Sequence, residues 1–239
     1  MDNIRYRLSR HAFLSIATRY CVFLDAARDR YLVVNREEFT ALAPLLEGWI
    51  GTGPDCDSNA LIGRRSLKLA AELCRRGILT VAERDGKPVQ VQVITPATRN
   101  AAPHFQRVGP SNRLRHGVDF LMAAVRTRRQ FRADTFESIM RDVSGRRALA
   151  DGALTVELQR EAYLVSVFEA CRAYYSRPYI CLFDSVCLFN FLARYGFFPT
   201  LVFGVIGEPF RAHCWLQDGD VVLNDVVERV TAYAPIMCI

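Results

Sequence analysis

The 239-residue sequence has no apolar run approaching the ~18 residues that a membrane-spanning helix needs, so no membrane association is expected. Its 14 glycines and 10 prolines are too sparse for a collagen-like or low-complexity chain, and no internal repeat points to a solenoid. Met1, Asp2 and Asn3 lead into basic residues without an apolar core and a small-residue cleavage site, so no secretory signal is expected. The eight cysteines (21, 56, 74, 171, 181, 187, 214, 238) include no CxxC pair. In a chain long enough to bury its own core they read as small hydrophobes of a reduced, cytoplasmic protein, not as a disulfide framework. The histidines at 11, 104, 116 and 213 make no metal-ligand spacing with them, so neither a metal nor a resident cofactor is expected.

What the chain does have is 51% hydrophobic residues beside 23% charged ones, enough for one large domain or two small ones. The net charge of +6 is unevenly spread: residues 101–160 hold 11 basic against 6 acidic side chains, residues 161–239 only 5 against 8. A basic front can attract nucleic acid, an anionic surface or an acidic peptide, or be a solvated arginine-rich face.

Residues 13–17 and 20–24 are β-rich, Asp25 to Asp29 breaks the run, and residues 30–34 resume it, which predicts strands and a turn. Asn35 offers an N-cap with Glu38 at capping-box spacing. Phe39, Leu42, Leu45, Leu46 and Trp49 then follow a helical period despite Pro44. A loop is expected around Gly51 to Asp57. A second helix is expected over 66–76, with Leu67, Ala70, Ala71 and Cys74 on one side and Gly77 as its cap. Residues 78–81 and 89–94 predict a wing-like hairpin across Asp85-Gly86. This inventory describes a small α+β domain over 1–95, and a winged-helix DNA binder shares it. Residues 96–112, with Pro96, Pro103, Gly109 and Pro110, read as a linker. Beyond it, Leu114, Val118, Leu121, Met122 and Val125 set a helical pattern. Two more helices are expected over 131–140 and 154–173, separated by the glycine-containing stretch 145–152.

The segment Tyr179 to Gly196 predicts a buried helix with Cys181 in its first turn and Cys187 deep inside. A cysteine at a helix start feels unpaired N–H groups and the positive dipole end, which favour thiolate, whereas Cys187 reads as packing. Residues 200–206, 211–216 and 221–226 follow as an antiparallel meander, in which His213 and Trp215 share one strand face and Cys214 takes the other. Cys181, His213 and Asp225 then come from three successive elements. In that order a thiol can attack a carbonyl, an imidazole can move its proton, and a carboxylate can orient the imidazole.

These residues carry a resemblance. Cys181-Leu182 with Ser185, the strand from Leu201 to Gly204, Ala212-His213 before Trp215, and Leu223-Asn224-Asp225 together resemble the B proteins of lasso-peptide biosynthesis, which look like transglutaminase-fold, papain-like cysteine proteases. The resemblance implies that residues 113–239 form the protease domain and that Cys181, His213 and Asp225 are its catalytic triad. Asp184, one turn beyond Cys181, departs from that pattern, and pairing with a residue such as Arg211 would relieve its opposition to a thiolate. The front of the chain resembles the winged-helix-like, PqqD-type peptide-recognition domain. That implies capture of a precursor leader by Tyr20, Val22, Leu24, Tyr31, Leu32, Val33 and Val34. The implied partners are the precursor peptide and an ATP-dependent lactam synthetase, through which alone ATP would enter. The competing readings are a non-enzymatic peptide adaptor and a winged-helix nucleic-acid-binding regulator; acyl transfer to an amine at the same triad is a third.

Overall fold

The computed structural model describes residues 5–49, 63–101, 108–150, 158–176 and 178–239. The loop expected around Gly51 to Asp57, the start of the helix expected from 154, and Cys56 and His104 lie outside the described residues. The front of the chain forms β1 (Arg7–Ser9), β2 (Ala12–Ile16), β3 (Tyr20–Asp25) and β4 (Arg30–Asn35). Strands β2, β3 and β4 form an antiparallel sheet in that order, with Phe13 opposite Leu24 and Val22 opposite Val33. Asp25 makes the β3–β4 turn by accepting the N–H groups of Ala27 and Arg28 at 3.1 and 3.2 Å, the local bonding that favours aspartate in turns. Asn35 caps α1 (Arg36–Leu42) by accepting the Glu37 N–H at 2.9 Å. Pro44 has no N–H to continue that helix, so Ala43–Leu45 tightens into a 3₁₀ turn and Trp49 lies beyond it.

Helix α2 (Arg64–Arg75) closes on Gly77 at φ +76°, a left-handed position suited to glycine. It buries Ser66, Ala70 and Leu73, whereas Leu67, expected on the same side as Ala70, is 48% exposed. The inward stripe is the one that joins Phe39 and Leu42 of α1 in the core. The expected wing hairpin is corrected: β5 (Leu79–Thr80) and β6 (Gly86–Lys87) both pair with β1, in the order β5-β1-β6. Inserting β1 satisfies a backbone edge on each neighbour and buries Leu8, which a free hairpin would not do. Of residues 89–94, Val91 makes an isolated bridge to Leu14.

The segment expected as a linker contains β7 (Arg99–Asn100), and Pro110 opens α3 (Pro110–Ala133). Proline suits a first helical position because its missing N–H is unneeded there. Then follow α4 (Phe136–Ala150), which runs straight through Gly145, α5 (Leu158–Arg172), α6 (Cys181–Leu192), β8 (Thr200–Ile206), β9 (Arg211–Asp218), β10 (Val221–Val222), α7 (Val227–Val230) and β11 (Ala234–Cys238). The strands make one sheet ordered β11-β8-β9-β10-β7, with β7 parallel to β10 and β10 antiparallel to β9. The third strand, expected to reach Val226, stops at Val222. Beyond it the Asn224 side chain accepts the Leu216 N–H at 2.8 Å, taking the place of a main-chain ladder bond.

Helix α6 buries every residue from Phe183 to Leu192. On α3 the periodicity is misleading: Phe120, Ala123, Ala124 and Thr127 are buried, while Leu114, Val118, Leu121, Met122 and Val125 face water. The compact units are discontinuous in sequence: Met1–Val93 with Val205–Arg211 and Ala234–Met237, and Ile94–Gly204 with Ala212–Tyr233 and Cys238–Ile239. The architecture is thus α+β in two units. No helix among the described residues is long and apolar enough to cross a membrane.

Candidate active site

The helix bearing the candidate nucleophile begins two residues later than its apolar pattern suggests. Tyr179 lies outside the helix, Ile180 is its extended N-cap, and Cys181 is the first helical residue, exposed at the N-terminus. The first intrahelical bond runs from the Asp184 N–H to the Ile180 carbonyl at 2.9 Å, so the N–H groups of residues 181–183 precede the helical ladder. Asp184 reaches back, and its carboxylate accepts the Ile180 N–H at 2.8 Å.

Asp184 neither points outward nor pairs with Arg211: its partner is Arg172. Arg172 Nε donates to Asp184 Oδ1 at 2.5 Å, and the two residues are 2% and 5% exposed. The same guanidinium donates to the carbonyls of Tyr175 and Pro178 at 3.0 and 3.2 Å and lies 4.2 Å from the Tyr179 ring centroid. Arg172 therefore ties the approach to Cys181 to the first turn of α6. Sequence reasoning missed it, although one arginine at the end of the apolar stretch 164–171 was a usable signal, because a buried guanidinium requires a partner.

Strand β9 carries His213, whose ring stacks at 26° on Trp215 with centroids 6.1 Å apart and tilts against Tyr233 at 5.3 Å. His213 Nε2 hydrogen-bonds Asp225 Oδ2, which leaves Nδ1 as the ring nitrogen for its interaction with Cys181. Asp225 also accepts the Val226 N–H at 2.8 Å and pairs with Arg229 at 3.0 Å. Asn224 fixes the loop before it by donating to Ser185 Oγ at 2.8 Å, while Ser185 donates to the Cys214 carbonyl at 3.4 Å. Ser185 and Asn224 thus brace the helix against the strand.

The structure brings Cys181, His213 and Asp225 to one small cavity of about 160 Å³, shared with Asn224, Glu169 and Tyr179. Contrary to the strand-face expectation, the Cys214 thiol also reaches Cys181: the helix start meets β9 at this residue. Hydrogen bonding from Cys214 and then from His213 draws the Cys181 thiol down to about 4. The Asp225 and Cys181 hydrogen bonds raise His213 to about 9. Burial alone would raise the Asp225 carboxyl, but bonds from His213 and the Val226 N–H hold it below its ordinary value. Hydrogen bonding with Cys181, then burial and the Cys181 charge, push Cys214 well above an ordinary thiol. Burial does the same for Cys21 and Cys187, to about 11 and about 12. These shifts favour a thiolate at Cys181 and an imidazolium at His213, beside a carboxylate at Asp225.

A lowered thiol pKa keeps the reactive form as pH falls. Iodoacetamide alkylation of Cys181, followed by peptide mass mapping, should hold a plateau from about pH 5 to 8 and decline only on approach to about 4. Cys21 and Cys187 should stay unlabelled throughout; a Cys181 rate that climbs tenfold per pH unit between 6 and 8 would show an ordinary thiol.

Among the described residues, no group of three or more His, Cys, Asp or Glu side chains is arranged to hold a metal ion. Of the residues expected to hold a peptide, Tyr20, Val22 and Leu24 lie on β3, the central strand, whose two edges are occupied by β2 and β4. Val22 and Leu24 are buried, and Tyr20 donates to Glu208. These three therefore cannot offer a free backbone edge, a correction to the sequence expectation. Tyr31, Leu32, Val33 and Val34 lie on β4, at the end of that sheet; Tyr31 packs on Phe210 at 5.3 Å, Val34 is buried, and Val33 is 36% exposed. Beside this strand a groove of about 240 Å³ is lined by Arg28, Arg30, Leu32, Arg75 and Arg76.

Residues 117–238 match the family model of the transglutaminase-like superfamily, Transglut_core3. No curated protein and no solved structure matches the chain.

Proposed function

Because the chain belongs to the transglutaminase-like superfamily, we propose that it is a leader-peptide-dependent cysteine endopeptidase, removing the leader of a lasso-peptide precursor before a partner synthetase closes the lactam. The observation that carries this reading is the meeting of Cys181, His213 and Asp225 in one cavity at a helix N-terminus. The Cys181 thiolate attacks the scissile carbonyl, and the charge developing on its oxygen is met by the first-turn N–H groups of α6. Imidazolium His213 protonates the departing amine and leaves a thioester. Neutral His213 then takes a proton from water, whose oxygen displaces the sulfur and releases the carboxylate. Asp225 fixes the ring and favours its charged form.

Hydrolysis needs both thiolate and imidazolium, so kcat/KM should rise as Cys181 ionises near 4 and fall as His213 loses its proton near 9. Incubating the purified protein with the precursor, with and without the synthetase, and weighing the intact products tests the assignment. Two fragments whose masses sum to precursor plus one water support hydrolysis; unchanged precursor under both conditions removes the reading, and an amine adduct marks transfer.

Leader capture belongs at β4, the PqqD-like part of this proposal. An added strand would satisfy main-chain groups on that edge, and in the groove beside it Arg30 suits an acidic leader side chain, Arg28 being paired with Asp25 and Arg75 and Arg76 with Glu72. Val33→Glu places a carboxylate on the exposed strand. It should weaken a labelled leader peptide about tenfold in fluorescence anisotropy while leaving the thermal midpoint within a degree or two. Unchanged affinity would move the leader site elsewhere.

A further inference from the structure

The long helix α3 presents an apolar seam to solvent. Leu114, Val118, Leu121 and Val125 follow one another at spacings of four, three and four residues, the rhythm by which one helix packs on another, with Met122 beside them. They are 81%, 65%, 55% and 41% exposed, and Met122 is 52% exposed. The helix needs none of them for its own domain, because its core contacts run through Phe120, Ala123, Ala124 and Thr127 on another face. Continued at the same spacing, the seam reaches Arg128 and Arg132, with Arg129 alongside. Among the described residues these three arginines pair with no carboxylate, whereas Arg126 is held by Asp142 and Arg194 by Asp119. A groove of about 690 Å³ beside this face is lined by Leu121, Met122 and Val125 together with Arg126, Arg129 and Arg194, and by the single carboxylate Asp134.

We propose that this face docks an amphipathic helix of a partner protein, one whose apolar seam meets Leu114 to Val125 and whose acidic side chains meet Arg128, Arg129 and Arg132. Charge selects this occupant over a second copy of the chain. Helix α3 carries six arginines against the single Asp119, so pairing it with itself sets positive charge on positive charge in parallel alignment and, through Arg113 and Arg115, in antiparallel alignment as well. Nucleic acid would answer the arginines but leave five large apolar side chains in water, whereas an acidic-flanked helix answers both. The surface lies on the solvent side of α3 and shares no residue with the cavity of Cys181, so it stands independently of the protease assignment.

The probe is a fluorescein-labelled synthetic helix of about three heptads, with leucine at its a and d positions and glutamate flanking them. Titrated with the full chain in fluorescence anisotropy, it should bind at least tenfold more tightly than the same peptide with lysine in place of glutamate. Leu121→Asp with Val125→Asp should weaken it at least tenfold, and Arg128→Glu with Arg132→Glu should weaken it and flatten its salt dependence. These positions are exposed, so the variants should keep the parent's circular dichroism and thermal midpoint. The proposal is overturned if the glutamate peptide fails to bind, or binds the Leu121→Asp, Val125→Asp variant as well as the parent. A labelled DNA duplex that binds the parent, is lost with the arginine substitutions and is indifferent to Leu121→Asp would overturn it in favour of nucleic acid. A dimer in sedimentation that Leu121→Asp disperses would do so in favour of self-association.

Discussion

Cys181→Ala should abolish cleavage of the precursor, lowering kcat/KM by about four orders of magnitude or more, while the leader still binds with parental affinity. The reason is local. Among the described cysteines, Cys181 alone combines a helix-start position with a place beside His213 in the cavity, whereas Cys187 is buried in the same helix and burial and Cys181 hold Cys214 toward the thiol form. His213→Ala should cost about as much, because it removes both the proton donor and the charge that keeps the sulfur ionised. The double variant should be no worse than either single one, as expected of groups that act as a unit. Product formation by intact-mass spectrometry, with leader affinity measured in parallel, separates loss of chemistry from loss of binding. A Cys181→Ala protein that cuts normally would show that another nucleophile is at work.

Arg172→Leu should be the most damaging substitution outside that cluster, destabilising the fold by about 3–5 kcal/mol. It leaves Asp184, 5% exposed, without its guanidinium, and frees the carbonyls of Tyr175 and Pro178 that lead into Cys181. For a chain of this size the loss corresponds to a fall of roughly 10 °C in the thermal midpoint. Asp184→Asn introduced beside Arg172→Leu should recover part of it, since much of the cost is the stranded carboxylate. A double-mutant cycle by chemical denaturation reads that recovery, and additive losses would mean that the two residues stabilise the fold separately. At temperatures where Arg172→Leu remains folded, alkylation of Cys181 at pH 6 should slow, because the turn that presents the thiol has lost its tie. Asp184 thereby changes meaning: beside Cys181 in sequence it looks hostile to a thiolate, yet buried against Arg172 it braces the helix start.

Leu67 and the α3 seam show where periodicity stops being informative. A stripe of apolar residues reveals a helix but not which of its sides the rest of the chain will cover. On α2 the inward stripe is the one that meets Phe39 and Leu42; on α3 the buried face has one large apolar side chain, Phe120, beside Ala123, Ala124, Thr127 and Gln130, which carry little hydrophobic pattern of their own. The wing hairpin failed for a related reason. Residues 78–81 have strand character, but the partner of 79–80 is β1, more than seventy residues earlier in the chain, and β1 also draws Gly86 and Lys87, at the expected turn, into its own sheet; pairing at that separation leaves no local trace.

The sequence by itself determined the α+β class, the turn at Asp25, the cap at Asn35 and the buried C-terminal helix, because each depends on residue chemistry at short spacing; it offered Cys181, His213 and Asp225 as candidates by residue type and element order, and the fold brings them to one cavity. Only the tertiary structure decided that β3 is a central strand and β4 a terminal one, that Arg172 and not Arg211 neutralises Asp184, and that Cys214 meets Cys181. Those outcomes turn on which distant backbone edges and buried charges find one another, and burial makes an unpaired edge or charge too costly to leave.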